Sequence, residues 1–218
     1  LTFTYNYAHS YLEDSVLLNH IWSLCVEEHI YLVLAVVAFL ARKYRFDSLY
    51  LLIPLMLIFM INGAIQSEFF NRGYYDVYWR TDVRGASILA GTIFGLSFER
   101  LRHYFLHDAI VVIGFLGILL QSNPVPDAIK YTVGTVCIAY SLAGLTMVPN
   151  FVKTLLLNKY LSYFGLISFS LYLWQQPFYV LKTQYPSGGL FLTLLPVALL
   201  SFYLIEKPTR AYLNRVFR

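Results

Sequence analysis

Apolar stretches at roughly 20–41, 48–66, 83–98, 107–121, 131–149, 160–181 and 189–206 fill most of this 218-residue chain. A helix needs about 20 predominantly apolar residues, with a range of about 17–25, to cross the hydrocarbon of a bilayer. Inside lipid every backbone N–H and C=O must be satisfied within the protein, which leaves helices and closed barrels. None of these stretches alternates apolar with polar residues as a barrel strand does. The expected fold is therefore all-α: a polytopic transmembrane helix bundle of about seven spans, forming a single membrane domain over residues 1–218. Pro54 and Pro196 fall inside spans, where neighbouring helices can satisfy the carbonyls they free.

Composition closes the alternatives. Hydrophobic residues make up 58% of the chain and charged residues 13%, against about 25% charged in ordinary globular domains. A soluble sphere could not be covered by so few charges, and disorder needs the opposite balance. Cys25 and Cys137 lie in separate apolar runs, which argues against a disulfide scaffold. The net charge of +4 comes from short basic runs between apolar stretches, a membrane-topology pattern rather than a nucleic-acid footprint. Arg42, Lys43, Arg45, Arg100, Arg102, Lys153, Lys159, Lys207, Arg210, Arg215 and Arg218 fall on one side of the seven-span arrangement. Arg72, Arg80, Lys130 and Lys182 fall on the other, with Arg84 at the start of a span. That bias places the C-terminus in the cytoplasm and the N-terminus outside.

Polar groups inside apolar segments carry the functional signal, because an ionisable side chain in lipid is costly unless paired, protonated or hydrated. The first span opens His20-Ile-Trp22-Ser23-Leu24-Cys-Val-Glu27-Glu28-His-Ile-Tyr31. At 100° per residue His20, Ser23, Glu27 and Tyr31 form one stripe, with Glu28 at its border. Either this stripe lines a cavity where a His/Glu constellation moves a proton, or it is a polar network holding helices together. A second group, Tyr74-Tyr75-Asp76-Val-Tyr78-Trp79-Arg80-Thr-Asp82-Val-Arg84, leads into a helix containing Gly91 and Gly95. Arg80 and Arg84 are four apart, on one helix face if the helix already runs there, and the pair could hold a phosphate, a carboxylate or Glu27; alternatively they snorkel from an aromatic belt. Gly91 and Gly95 read as a small-xxx-small packing pair. Two further runs stand out, Ser168-Phe-Ser170-Leu-Tyr172-Leu-Trp174-Gln175-Gln176-Pro177 and Glu206-Lys207-Pro208-Thr-Arg210. His9, His103 and His107 have no metal-ligand spacing, and neither a nucleotide loop nor a serine nucleophile elbow is present.

The opening run resembles the H-x-W-S-L-x-x-E-E-x-x-Y signature of the acyltransferase 3 membrane proteins, which O-acylate extracytoplasmic sugars. Arg80-Thr-Asp82, Ser168-Phe-Ser170-Leu-Tyr172-Leu-Trp174-x-x-Pro177 and Glu206-Lys-Pro208 match the family's further motifs in order, from residue 20 to residue 208. The resemblance implies an integral membrane O-acyltransferase, with acyl-CoA as donor, a cell-surface carbohydrate as acceptor and membrane lipid as surroundings. It implies no bound cofactor and no metal, and places the protein in a bacterial inner membrane. His20, Glu27 and Arg80 are its candidate catalytic groups; Trp22, Ser23, Glu28, Tyr31, Asp82 and Trp174 are its candidate substrate-binding groups.

Two departures accompany the match. Gln175 stands where the family often has His, and the Arg- and His-bearing opening span of the family is not in this sequence. By the resemblance these are the last seven of about ten spans. A proton-coupled transporter or flippase, or a non-catalytic membrane scaffold, would use the same polar groups differently.

Overall fold

The structure, a computed structural model, describes residues 3–8, 16–70, 72–105, 109–184 and 189–217. Among these residues all regular secondary structure is helical. The principal helices are α1 (Trp22–Tyr44), α2 (Leu49–Glu68), α3 (Thr81–Leu101), α4 (Ala109–Leu119), α5 (Asp127–Met147), α6 (Lys159–Gln184), α7 (Gly189–Ser201) and α8 (Lys207–Val216). A five-residue π turn, Phe202–Glu206, joins α7 to α8.

Each of the seven apolar stretches coincides with helix over all but its end residues; His107 and Asp108, which open the fourth, lie outside the described residues. Four helical segments are long and apolar enough to cross a bilayer: Asn19–Tyr44, Leu49–Glu68, Asp127–Met147 and Leu192–Val216. Helices α3 and α6 have the length, but their polar side chains lower the mean hydropathy. Helix α4 is strongly apolar but only 11 residues long.

The chain divides into two compact units, Leu1–His9 with Ile21–Lys153, and Ser10–His20 with Thr154–Arg218. In the first unit α1, α2 and α3 share a core in which Ile30, Leu52 and Leu89 are fully buried. Helix α1 stops at Arg45, whose left-handed backbone (φ 55°, ψ 44°) turns the chain, while Arg42 and Lys43 face the negative end of the helix dipole.

Close approach of the helices depends on glycine, though not where the small-xxx-small spacing put it. A Cβ at Gly91 or Gly95 would meet nothing within 4 Å. At Gly85 it would sit 2.5 Å from Ile30 Cδ1 and 2.9 Å from Phe59 Cε2; at Gly63, 2.8 Å from Val83 Cγ1. The expected packing role of Gly91 and Gly95 is thus corrected. Their side of α3 borders open space, and the tight seam runs one helical phase away, through Gly85.

In the second unit Ile167, Ala198 and Phe202 are buried between α6 and the α7–π-turn segment. The Tyr163 and Tyr203 hydroxyls are hydrogen-bonded at 3.2 Å.

Candidate functional site

In the first unit, Trp22, Ser23, Glu27 and Tyr31 of α1 line a cavity of about 360 Å³ with Val26 and with Arg84, Ser87 and Ile88 of α3. Positions 23, 27 and 31 recur at the four-residue spacing of one helix face, so the wall follows from the helical repeat. Glu27 and Arg84 share this cavity without being ion-paired; among the described residues no carboxylate lies within ion-pair distance of Arg84.

An aromatic cluster forms one edge of the site. The Trp22 indole is stacked on Trp79, with centroids 5.9 Å apart and planes 6° apart, and meets Tyr78 edge-on at 5.1 Å. The Arg84 guanidinium lies 4.5 Å over the Tyr78 ring, a cation–π contact that fixes its direction. An orienting contact that consumes no hydrogen-bond donor leaves the guanidinium fork free for a ligand.

Arg80 does something else. It is the residue before α3, with extended backbone (ψ 137°), so Arg80 and Arg84 do not share a helix face. Its Nε and Nη2 donate to the two oxygens of Asp82 at 2.9 and 2.7 Å. That bidentate contact raises the Arg80 pKa further above its ordinary value. Asp82 also accepts from Asn62 Nδ2 at 3.0 Å, and Asn62 Oδ1 accepts from Gln66 Nε2 at 3.0 Å. The expected Arg80–Glu27 or Arg80–Arg84 partnership is therefore replaced by an Arg80–Asp82 fork that clamps the start of α3 to α2. The reason is local: helical geometry begins only at Thr81.

His20 is not among the residues that line this cavity. It lies in the 3₁₀ segment Val16–Ile21, just before α1 begins at Trp22. His20 belongs to the second unit, where the Tyr172 hydroxyl donates to its backbone carbonyl and the two rings meet edge-on at 5.2 Å. Glu28 is exposed, and Trp174 is an exposed residue of the second unit. His103 lies on the surface next to Tyr104, while His9 and His107 fall outside the described residues.

Several participants were not singled out from sequence. His29 Nδ1 is 2.8 Å from the buried Thr81 hydroxyl oxygen, which also accepts from Asn6 Nδ2 at 2.9 Å; the Thr81 N–H donates to the Tyr7 hydroxyl at 3.2 Å. These contacts tie the N-terminal segment and α1 to the start of α3. Arg84 stands apart from Arg80 in the structure, over the Tyr78 ring. The better signal was that Arg84, Ser87 and Gly91 recur at i, i+3 and i+7 inside an apolar segment, where an arginine needs a reason. Among the described residues no group of three His, Cys, Asp or Glu side chains is placed to hold a metal ion.

No family model matches the chain, and no curated protein or solved structure matches it.

Proposed function

We propose that this chain is an integral membrane O-acyltransferase that moves an acyl group, acetyl in the simplest case, from acyl-CoA to a hydroxyl of a cell-surface carbohydrate. The observation that carries the reading is the cavity in which Trp22, Ser23, Glu27 and Tyr31 face Arg84. A carboxylate, a guanidinium and a hydroxyl around one water-accessible space form a set suited to alcoholysis of a thioester. The acceptor oxygen attacks the thioester carbonyl carbon as its proton passes to the Glu27 carboxylate. The tetrahedral oxyanion is held by the Arg84 guanidinium and collapses with cleavage of the C–S bond. The thiolate takes up the proton and leaves as the free thiol.

Contacts within the units join residues of the resembling motifs or next to them. Trp22 stacks on Trp79 beside Arg80, His20 meets Tyr172, and Ser170 bonds Glu206. The proposed topology has seven spans in a bacterial inner membrane with the C-terminus cytoplasmic, in keeping with the basic residues at 42–45, 100–102, 153–159 and 207–218.

The test is acyl transfer by the reconstituted protein, using radiolabelled acetyl-CoA and cell-envelope polysaccharide. Label is expected to become covalently attached to the glycan, and Glu27→Gln should lower the rate about 10²–10⁴-fold, the range of a lost general base. Undiminished transfer by Glu27→Gln removes that residue from the chemistry. Proton-driven solute uptake with no covalent product would instead favour a transporter.

A further inference from the structure

Arg84, Ser87 and Ile88 also border a second, partly open cavity of about 420 Å³, lined further by Tyr78, Gln121 and Thr135 among polar residues, and by Ile138 and Leu142 among apolar ones. Its volume lies in the range of small-molecule sites. Its hydrogen-bonding capacity can be counted. The Ser87 hydroxyl donates to the Arg84 carbonyl at 2.8 Å, and the Thr135 hydroxyl to the Lys130 carbonyl at 3.1 Å. Gln121 Nε2 donates to the same Lys130 carbonyl at 3.1 Å. Each hydroxyl has a single hydrogen and here it is already used, so Ser87 Oγ and Thr135 Oγ1 can only accept from a ligand; Gln121 adds its carbonyl oxygen. One Gln121 amide N–H also remains, and the charged donor of the cavity is Arg84, which has no carboxylate partner among the described residues.

A cavity with one cationic fork and a set of acceptors has a definite complement. The fork selects a phosphate or carboxylate, and the acceptors select hydroxyl groups carried on the same molecule. We propose that this second cavity binds an anionic polyol, a sugar phosphate or uronate, with the anion on Arg84 and the sugar hydroxyls on Ser87, Thr135 and Gln121. A neutral sugar leaves the guanidinium unsatisfied, and inorganic phosphate leaves the acceptors unused. The glycerol phosphate headgroup of phosphatidylglycerol has the same chemistry as a free polyol phosphate. The reading rests on cavity walls and donor counts and not on acyl transfer, although both cavities are bordered by Arg84.

The test is equilibrium binding to the full chain in phosphatidylcholine nanodiscs, followed by tryptophan fluorescence, since Trp22 and Trp79 adjoin Tyr78 and Arg84. Glucose 1-phosphate and glucuronate should bind saturably, and at least tenfold more tightly than glucose or inorganic phosphate. Gly91→Leu should abolish binding while the protein stays folded, because Gly91 lines this cavity and a Cβ there meets nothing within 4 Å. Thr135→Val should weaken glucose 1-phosphate and leave inorganic phosphate unchanged. Competition by phosphatidylglycerol added to the nanodiscs would identify the occupant as a lipid headgroup. No saturable binding of either anionic sugar overturns the proposal. So does equal binding of glucose, or binding undiminished in a folded Gly91→Leu protein.

Discussion

The Ser170 hydroxyl donates to the Glu206 carboxylate at 2.6 Å, joining the middle of α6 to the last residue of the π turn. Glu206 is ion-paired through its other oxygen with Arg210, one turn along α8, at 2.6 Å. Ser170 is fully buried and the Glu206 side chain only 9% exposed, so the serine has no solvent substitute. Ser170→Ala should lower the unfolding free energy by about 1–3 kcal/mol, the cost of leaving a buried charged acceptor unsatisfied. The effect of the same change in a Glu206→Gln background should be smaller, which denaturant unfolding of the four cycle variants would measure.

That contact shows how far the sequence could be read. The Ser168–Pro177 run and Glu206-Lys207-Pro208 were each weak alone, and sequence offered no route to their meeting across 36 residues. Helix existence was legible, because long apolar segments leave the backbone little choice. The α1 stripe from Ser23 to Tyr31 was legible for the same reason, since helical phase projects directly from spacing. Phase fails wherever the helix has not yet begun. Arg80 sits one residue before α3 with extended backbone, so its four-residue spacing to Arg84 does not put the two on one helix face. His20 packs with Tyr172 in the second compact unit, a division that spacing does not reveal. Glycine roles failed differently: spacing identifies a small-residue pair, Gly91 and Gly95, but not the neighbour that approaches the helix, which does so at Gly85.

Gly85 therefore offers a packing test. A methyl group there would press on Ile30 Cδ1 and Phe59 Cε2, and Ile30 is 0% exposed, with nowhere to move. Gly85→Ala should destabilise the protein by about 1–3 kcal/mol, a typical overpacking cost. Ile30→Val removes the clashing Cδ1 and should recover part of that loss in the double variant. Gly95→Ala, in open space, should be neutral or stabilising by up to about 1 kcal/mol through helix propensity. Thermal unfolding in one detergent would rank all four.

At the surface, Asp47, in the turn between α1 and α2, accepts from Arg100 Nη1 at 2.5 Å and from the Leu49 N–H at 3.0 Å. The Arg100 hydrogen bond, then that from Leu49, holds the Asp47 carboxyl below its ordinary pKa of 3.8. A carboxyl whose folded pKa is depressed stabilises the protein fully above its unfolded pKa and loses that contribution as pH falls through the folded value. Wild type should exceed Asp47→Asn in melting temperature at pH 6. The gap should close as pH drops below about 4, the unfolded carboxyl pKa. Both partners are solvent-accessible, so the gap at pH 6 should also shrink in 1 M salt, where the Debye length is about 3 Å. Melting curves at three pH values and two salt concentrations suffice.

The two arginines at the start of α3 give opposite expectations. Arg80 spends its fork on Asp82, whereas Arg84 lies over Tyr78 and borders the Glu27 cavity. Arg84→Gln should therefore reduce acyl transfer about 10²–10³-fold, the usual loss for one oxyanion-stabilising donor, with little change in melting temperature. Arg80→Gln should act mainly on stability, costing about 0.5–1 kcal/mol for a partly exposed ion pair. Its remaining folded fraction should transfer acyl groups at nearly the wild-type rate. Measuring rate and melting temperature for both variants separates the assignments. If Arg80→Gln were as inactive as Arg84→Gln while equally well folded, the anion-handling role would return to Arg80. Asp82 would then have to release its guanidinium during turnover, and removing that carboxylate with Asp82→Asn should change the rate.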